Sequence, residues 1–333
     1  MKNNILITGG AGYIGSHIVQ SLLNTVNKIT VVDNLSRSTI NNINILNKKF
    51  KTKIPIYNLD ISNTKEMDKI FKKYKFDLVI HLAGFKSIIE SINNPSLYRT
   101  NNFIYTQKLV DVMLKNDCKK IIFSSSASVY GYPEYLPIDE KHPINPLNPY
   151  SKSKADIEFF LAKLVKNYDD LKCIILRYFN PVGSFQGYIG EDLTYDPTNL
   201  MPAIIKAALK IKDRVIIYGN NFNTHDGTGI RDYIHVDDLA NAHTASIELI
   251  NNLNGINTYN IGCGRGHSVL EMIETFKEVN KLDVPYIYSS RRPGDVDKIY
   301  ADISKFKACV DWKAKKDIKD MCMDAWKYET YKK

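Results

Sequence analysis

The run Asn4–Thr8 (NILIT) is short and apolar, stops on Gly9-Gly10-Ala11-Gly12-Tyr13-Ile14-Gly15, and passes straight into a stretch of helical period, Tyr13–Leu23. Spaced glycines permit a tight strand-to-helix turn and let backbone N–H groups approach a pyrophosphate, whose charge the start of the helix dipole favours. Gly-rich turns are common, so the spacing gains its weight from its place between first strand and first helix. A second apolar run, Ile29–Asp33, ends on a carboxylate. Asp33 there can accept both hydroxyls of an adenosine ribose and would repel a 2′-phosphate, which favours NAD; Arg37 close by keeps NADP open. The competing reading is a purely structural turn with Asp33 as a cap.

The same rhythm continues. Apolar runs at Ile54–Tyr57, Asp77–His81, Lys120–Ser124 and Cys173–Phe179 alternate with helix-period stretches at Thr64–Tyr74, Ser96–Leu114 and Tyr150–Asn167. Continuous apolar runs of this length suit strands buried on both faces. The alternation predicts an α/β fold, a doubly wound parallel sheet of Rossmann type. After Asn180 the rhythm breaks into a Gly-, Asp- and Asn-rich loop, a helix near Pro202–Lys210, a strand at Val215–Tyr218, a helix over Ile234–Ile250, a strand at Thr258–Ile261 and a terminal amphipathic helix near Asp317–Tyr328. We expect residues 1–180 plus about 231–263 to form the nucleotide-binding domain. Residues about 181–230 plus 264–333 are then a smaller mixed α/β substrate domain.

Composition excludes several classes. With 44% apolar and 24% charged residues the 333-residue chain is an ordinary globular one, neither disordered nor fibrous. The net charge of +9 invites a polyanionic partner, but no basic stripe interleaved with aromatics accompanies it, so no nucleic-acid role is expected. Five Cys lie far apart without C-x-x-C or clustered His, which points to no metal, no disulfide framework and a reducing, cytoplasmic setting. Neither a secretory leader nor an apolar run long enough to span a membrane is expected.

Tyr150-Ser-Lys-Ser-Lys154 carries the chemistry. A Tyr-x-x-x-Lys spacing should arise by chance ~2 times in this composition, and it occurs three times, at Tyr150/Lys154, Tyr168/Lys172 and Tyr328/Lys332. Only the first opens a helix, after Asn148-Pro149, downstream of a strand ending in Ser124-Ser125-Ser126. Strand ends on the carboxyl side of a parallel sheet are where ligands sit. One turn apart on a helix, Lys154 can bring its ammonium near the Tyr150 ring, and that charge with an oxidised nicotinamide favours the phenolate. Ser126 can share a hydrogen bond with the reacting hydroxyl, making a proton acceptor for alcohol oxidation. Arg231 and Arg292 suit a pyrophosphate and Asp295 a ribose hydroxyl, against the plain alternative of surface ion pairs; Arg214 and Arg265 keep that plain reading.

These blocks, with VVDNLSRS, HLAGFKS, FSSSASVYG, LRYFNPVG, NLMP, DGTGIRDYIHVDDLA and RRPGDVD, resemble the extended short-chain dehydrogenase/reductases from Ile5 to about Trp326, and among them the UDP-glucose (UDP-galactose) 4-epimerases. The resemblance implies an isomerase that inverts C4 of a UDP-sugar through a transient 4-keto sugar on tightly bound NAD. It places Gly9, Gly12, Tyr13, Ile14 and Gly15 over the pyrophosphate, Asp33 and Asn34 on the adenosine ribose, and Asp60 and Ile61 about the adenine. Leu82, Ala83, Lys86 and Asn101 line the cofactor cleft, and Phe179 closes the nicotinamide side. Ser126, Tyr150 and Lys154 are catalytic, while Lys86, Asn180, Asn199, Leu200, Tyr218, Arg231, Arg292 and Asp295 hold the UDP-sugar. Ile299 stands where the family gates the sugar 2-substituent. A small residue there goes with N-acetylated sugars and a large aromatic with plain hexoses, and Ile lies between, which leaves UDP-N-acetylhexosamine open.

Other readings are a nucleotide-sugar dehydratase, which typically carries an Asp-Glu pair where this chain has Ser126-Ala127, a UDP-glucuronate decarboxylase, and a non-catalytic NAD-binding protein. The resemblance also implies a homodimer built on Ser96–Leu114 and Tyr150–Asn167, where Ile157, Phe160, Leu161 and Leu164 make an apolar stripe. Such a stripe equally well faces a core.

Overall fold

The computed structural model describes residues 3–23, 25, 28–195, 199–292 and 294–331. In chain order its elements begin β1 (Asn4–Thr8), α1 (Tyr13–Leu23), β2 (Lys28–Asp33), α2 (Asn41–Lys49), β3 (Ile56–Asn58), α3 (Thr64–Tyr74), β4 (Leu78–His81), α4 (Ile88–Asn93) and α5 (Pro95–Tyr98). A π-helical stretch, Arg99–Ile104, leads into α6 (Tyr105–Lys115), β5 (Lys120–Ser126), α7 (Pro149–Val165) and β6 (Lys172–Tyr178). Then come β7 (Asn180–Val182), α8 (Leu200–Ala208), β8 (Val215–Tyr218), β9 (Ile230–Arg231), β10 (Tyr233–His235), α9 (Val236–Leu249) and β11 (Ile256–Ile261). The last are β12 (His267–Ser268), α10 (Val269–Asn280), β13 (Tyr286–Ser289), β14 (Lys298–Ile299), α11 (Ser304–Cys309) and α12 (Ile318–Tyr331).

Seven strands form one parallel sheet in the order β11-β6-β5-β4-β1-β2-β3. Strand order reverses at β1, which pairs in parallel with β2 on one side and β4 on the other. The Gly9–Gly15 turn thus leaves the sheet at its topological switch point, where open α/β sheets bind ligands. Strands β1, β2, β4, β5 and β6 are buried along nearly their whole length, as their apolar sequences require, whereas the edge strand β3 is not. Leu6, Val32, Val79, Ile121 and Phe123 of the sheet pack with Phe71 of α3, Leu109 of α6, and Ile157 and Leu161 of α7.

The chain divides into two compact units. The first comprises 1–131, 144–177 and 240–259; the second comprises 132–143, 178–239 and 260–333. The second unit carries the short parallel pairs β10–β7 and β13–β8 and the three-stranded order β12-β9-β14. Its core gathers Ile204 and Ile205 of α8, Tyr233, Met272 and Phe276 of α10, and Met321 and Cys322 of α12. Alpha-10 starts on a capping box, Ser268 with Glu271. No described helix is long and apolar enough to cross a membrane.

The structure departs from the expected elements in specific places. The single helix expected over Ser96–Leu114 is interrupted by the π-turn Arg99–Ile104, inside which Asn102 bonds to a distant loop instead of to solvent. The helix expected over Ile234–Ile250 begins at Val236, because Tyr233–His235 pairs with β7 and the His235 ring accepts the N–H of Asp237. Helices α2 and α4 were not anticipated; NNINILNKK buries only Asn42, Ile43 and Leu46, too few apolar residues to show a period. In the apolar stripe of α7, Ile157 and Leu161 are core residues with Phe160 and Leu164 packed against them, so that stripe faces inward. Leu161→Ala should accordingly cost about 2–5 kcal/mol of stability, read as a lower urea midpoint with an unchanged slope.

Candidate active site

Three of the four glycines of the first turn, Gly9, Gly12 and Gly15, act for three different reasons. Gly9 sits at φ +73, and a Cβ there would fall 2.7 Å from the Ala83 nitrogen. At Gly15 a Cβ would meet the Gly9 carbonyl at 2.2 Å, which is what lets α1 start against the turn. Gly12 has room for a side chain within the protein, its nearest neighbour being the Gly9 oxygen at 3.4 Å. Its bareness therefore serves an incoming group, and a cradle that a Cβ would fill fits a pyrophosphate at the N-terminus of α1.

Asp33 closes the turn from β2. Its Oδ2 accepts the Ala11 N–H at 3.0 Å, and its Oδ1 accepts the Leu35 N–H and the Ser38 hydroxyl, each at 2.9 Å. The carboxylate is thus held rigidly, with acceptor capacity left on Oδ2 for a hydroxyl. Asn34 donates to Asp60 at 2.8 Å, and Asp60 also caps Ser62, so the two expected adenosine-side residues support each other beside buried Ile61. Arg37, which had kept a 2′-phosphate open, is committed elsewhere: it pairs with Glu90 and lies 5.1 Å over the Phe85 ring.

Tyr150 and Lys154 stand on the first turns of α7, whose start is set by Pro149 and by Asn148, the side chain of which accepts the Ser151 N–H at 2.9 Å. Tyr150 is half-buried; loss of solvent raises its phenol above the ordinary value, and a hydrogen bond from Ser126 works against that rise. Ser126 also accepts from the Ser128 N–H and hydroxyl, so its oxygen is fixed at the end of β5. Lys154 Nζ, on the same helix one turn from Tyr150, donates to the Ser124 carbonyl of β5 at 2.7 Å and lies 4.9 Å over the Phe123 ring. Burial pushes Lys154 down to about 8, with the Glu158 charge opposing.

Beneath the pair, His81 of β4 is buried between the Thr8 and Thr106 hydroxyls, each 2.7 Å away. Thr106 donates to the Asn102 carbonyl, so Thr106 accepts from His81 Nε2–H while Thr8 donates to Nδ1. The ring is neutral, held down to about 3 by burial and by Lys154.

The loop after β4 is placed by a residue whose spacing carried no signal. Asn102 accepts the Phe85 N–H at 2.8 Å, donates to the Phe85 carbonyl at 3.0 Å and donates to Ser153 of α7 at 3.0 Å. It thereby ties Lys86, which is exposed, and its own neighbour Asn101 to the turn that carries Tyr150. Leu82 and Ala83 both donate to the Thr8 carbonyl, keeping that loop against β1. The pair Tyr168/Lys172 has no comparable setting, since Lys172 bonds the Asn251 carbonyl at the surface, and Lys332 lies outside the described residues.

In the second unit, Phe179 is buried and bonded to the Ile261 carbonyl, Asn180 is exposed at the start of β7, and Asn199 and Leu200 open α8. Arg231 of β9 spends one nitrogen on the Ile230 and Val296 carbonyls, both at 2.9 Å, and holds the other 3.7 Å from Asp295. Arg292 grips Asp295 through two bonds of 3.0 and 3.3 Å and lies 4.8 Å over the Tyr218 ring. The two cations thus share one carboxylate, leaving a net positive charge suited to a pyrophosphate. Ile299 of β14 sits in register with Arg231. Arg291, to which the RRPGDVD block assigned no role, stacks 3.9 Å over Phe222 and bonds Asn221, pinning the loop that carries Arg292.

A family model described as GDP-mannose 4,6 dehydratase matches residues 6–325. A UDP-glucose 4-epimerase of Cyamopsis tetragonoloba is 44% identical over 332 residues, covering 98% of this chain and 95% of that protein. Among solved structures, the UDP-glucose-4-epimerase of Stenotrophomonas maltophila with bound NAD and formylated UDP-arabinopyranose has a TM-score of 0.97 at 36% identity, covering 99% of this chain and 98% of the other. The UDP-glucose 4-epimerase of Bifidobacterium longum in complex with NAD+ and UDP has a TM-score of 0.94 at 40% identity, covering 98% of each chain.

The chain belongs to the UDP-glucose 4-epimerase family. This membership decides between the enzyme classes weighed from sequence, and the Ser126-Ala127 strand end agrees with an epimerase over a dehydratase.

The turn IGCGRG at 261–266 has a structural task. It wraps Asp232, whose buried carboxylate accepts the Cys263, Gly264 and Ala301 N–H groups at 2.7, 3.0 and 3.1 Å, directly behind Arg231. Burial lifts Asp232 to about 6, against those bonds and the charge of Arg265. The folded protein then retains a proton that the unfolded chain, titrating near ~3.9, has lost, so this group costs stability as pH rises through that window. Between the two limits wild type should lose ~3 kcal/mol relative to Asp232→Asn, measured by urea unfolding across the range.

Proposed function

We propose that this protein interconverts UDP-galactose and UDP-glucose by inverting C4, with no net redox change. One observation carries the assignment of roles: a phenol, hydrogen-bonded by a fixed Ser126 hydroxyl and one helical turn from a buried lysine, stands at the end of β5 in a sheet whose first turn is a bare-backbone anion cradle. Gly9–Gly15, Asp33 and Asn34 would hold NAD, with Asp60, Ile61, Leu82, Ala83, Lys86, Asn101 and Phe179 around it. Bound there, NAD would supply a reversible acceptor for the hydride of the sugar C4.

Tyr150 removes the proton from the sugar O4 and later returns it, and Ser126 steadies that oxygen through a shared hydrogen bond. Lys154 supplies the positive charge that favours the phenolate against its burial. Arg231, Arg292 and Asp295, with Tyr218, Asn180, Asn199 and Leu200, anchor the UDP, which leaves the sugar ring free to turn over about its linkage. Anchoring the nucleotide more firmly than the sugar is what inversion at one carbon demands.

The exposed Ile88, Ile89, Ile92 and Leu97 of α4 and α5 and the exposed Phe159 of α7 support a homodimer through these helices. Five free cysteines fit a reducing, cytoplasmic setting.

Purified protein given UDP-galactose without added NAD should form UDP-glucose, followed by proton NMR. Tyr150→Phe should lower that rate by at least ~10²-fold; a full rate in this variant removes Tyr150 from the mechanism. Conversion of UDP-GalNAc in the same assay tests Ile299. Phe159→Glu should halve the mass seen by sedimentation, and an unchanged mass excludes α7 from the dimer.

A further inference from the structure

Lys154 carries a full charge in a place with little to balance it. Its only hydrogen bond among the described residues is to the neutral Ser124 carbonyl, and the Phe123 ring face adds only a weak attraction. From β4 it faces His81, which is neutral, and on its own helix Tyr150, a neutral phenol in this state. The one anion acting on it is Glu158, one turn further along α7.

Glu158 is itself buried, and its carboxylate is clamped. Arg177 of β6 reaches Oε2 through Nη2 at 2.6 Å and spans both oxygens through Nε at 3.1 and 3.3 Å, while Ser125 donates to Oε1 at 2.5 Å. Arg177 is locked in turn by the Tyr130 hydroxyl at 3.0 Å and by that ring, 4.8 Å beneath its guanidinium. Tyr150, Lys154 and Glu158 recur every four residues, so the acid–base pair and its charge balance share one helical face. Ser124, Ser125 and Ser126 are successive residues of β5, and each serves a different member of that face.

We propose that Glu158 is a positioning residue for the reaction: clamped by Arg177 and Ser125, it is the counter-charge that keeps Lys154 cationic, and the Glu158–Arg177 pair sets the alkaline limit of turnover. The inference rests on the reading of Tyr150 and Lys154 as the catalytic pair. Glu158 and Arg177 touch neither the cradle nor the reacting hydroxyl; they act through Lys154. Removing the carboxylate leaves two buried cations, which makes Lys154 easier to deprotonate. Removing the guanidinium leaves an undivided anion beside it, which makes Lys154 harder to deprotonate. Removing both restores the balance.

The test is the pH dependence of kcat for UDP-galactose conversion by the purified holoenzyme and three variants. Glu158→Gln should move the alkaline limb down by about one pH unit, Arg177→Met should move it up, and the double variant should return it to the wild-type position. A merely structural role lowers stability in all three without signed shifts. One common limb in the folded variants, or shifts of the same sign in both single variants, overturns the proposal. Should Glu158→Gln not fold, Arg177→Met against the double variant decides alone, since an upward limb in the first and a wild-type limb in the second is required. Lys154→Gln separates the two readings: wild-type turnover there removes the catalytic pair itself, whereas an inactive Lys154→Gln with unmoved limbs elsewhere rejects only the role of Glu158.

Discussion

Holding a cation in the dry centre of a sheet is the constraint around which the first unit is arranged. An ammonium taken out of water is costly unless it finds acceptors and opposite charge. Lys154 obtains an acceptor in the Ser124 carbonyl of β5, and it obtains charge from Glu158 on its own helix. His81 stays neutral beside it because it is buried next to that charge, and the Thr8 and Thr106 hydroxyls fix its tautomer. Nothing in this set can be altered alone without leaving a buried polar group unsatisfied.

The same economy governs the second unit. Arg231 divides its donors between two carbonyls and Asp295, so its position is set by backbone before any anion arrives. Asp232, the next residue, faces the opposite way and gathers three backbone N–H groups from two separate segments. Adjacent residues thus divide the work, Arg231 held beside Asp295 and Asp232 tying backbone segments together. Arg291 and Arg292 are likewise adjacent and divided in task, one stacked on Phe222 to hold the loop, the other over Tyr218 beside Asp295.

The parts of the site legible in sequence were those in which chain-neighbours act together. The Gly9–Gly15 turn, Asp33 at a strand end, and Tyr150 and Lys154 after Asn148-Pro149 each lie within a few residues of a recognisable element boundary. Asn102, His81, Glu158, Arg177 and Asp232 gave no such signal, because their partners lie far away in sequence: Asn102 bonds Phe85 and Ser153, and Asp232 bonds Ala301. The π-turn that carries Asn102 is silent in sequence for the same reason, since Asn102 bonds a loop seventeen residues earlier.

By itself the sequence determined the alternation of buried strands and amphipathic helices, and with it the parallel sheet, the switch-point turn and the family. These follow from local periodicity and glycine placement, which are properties of neighbours along the chain. Only the tertiary structure decided where Lys154 sends its proton donors, which anion balances it, that Arg37 is spent on Glu90, and that Asp295 stands between two arginines. Those are questions of distance and desolvation among residues brought together by folding, and no spacing in a linear chain encodes them.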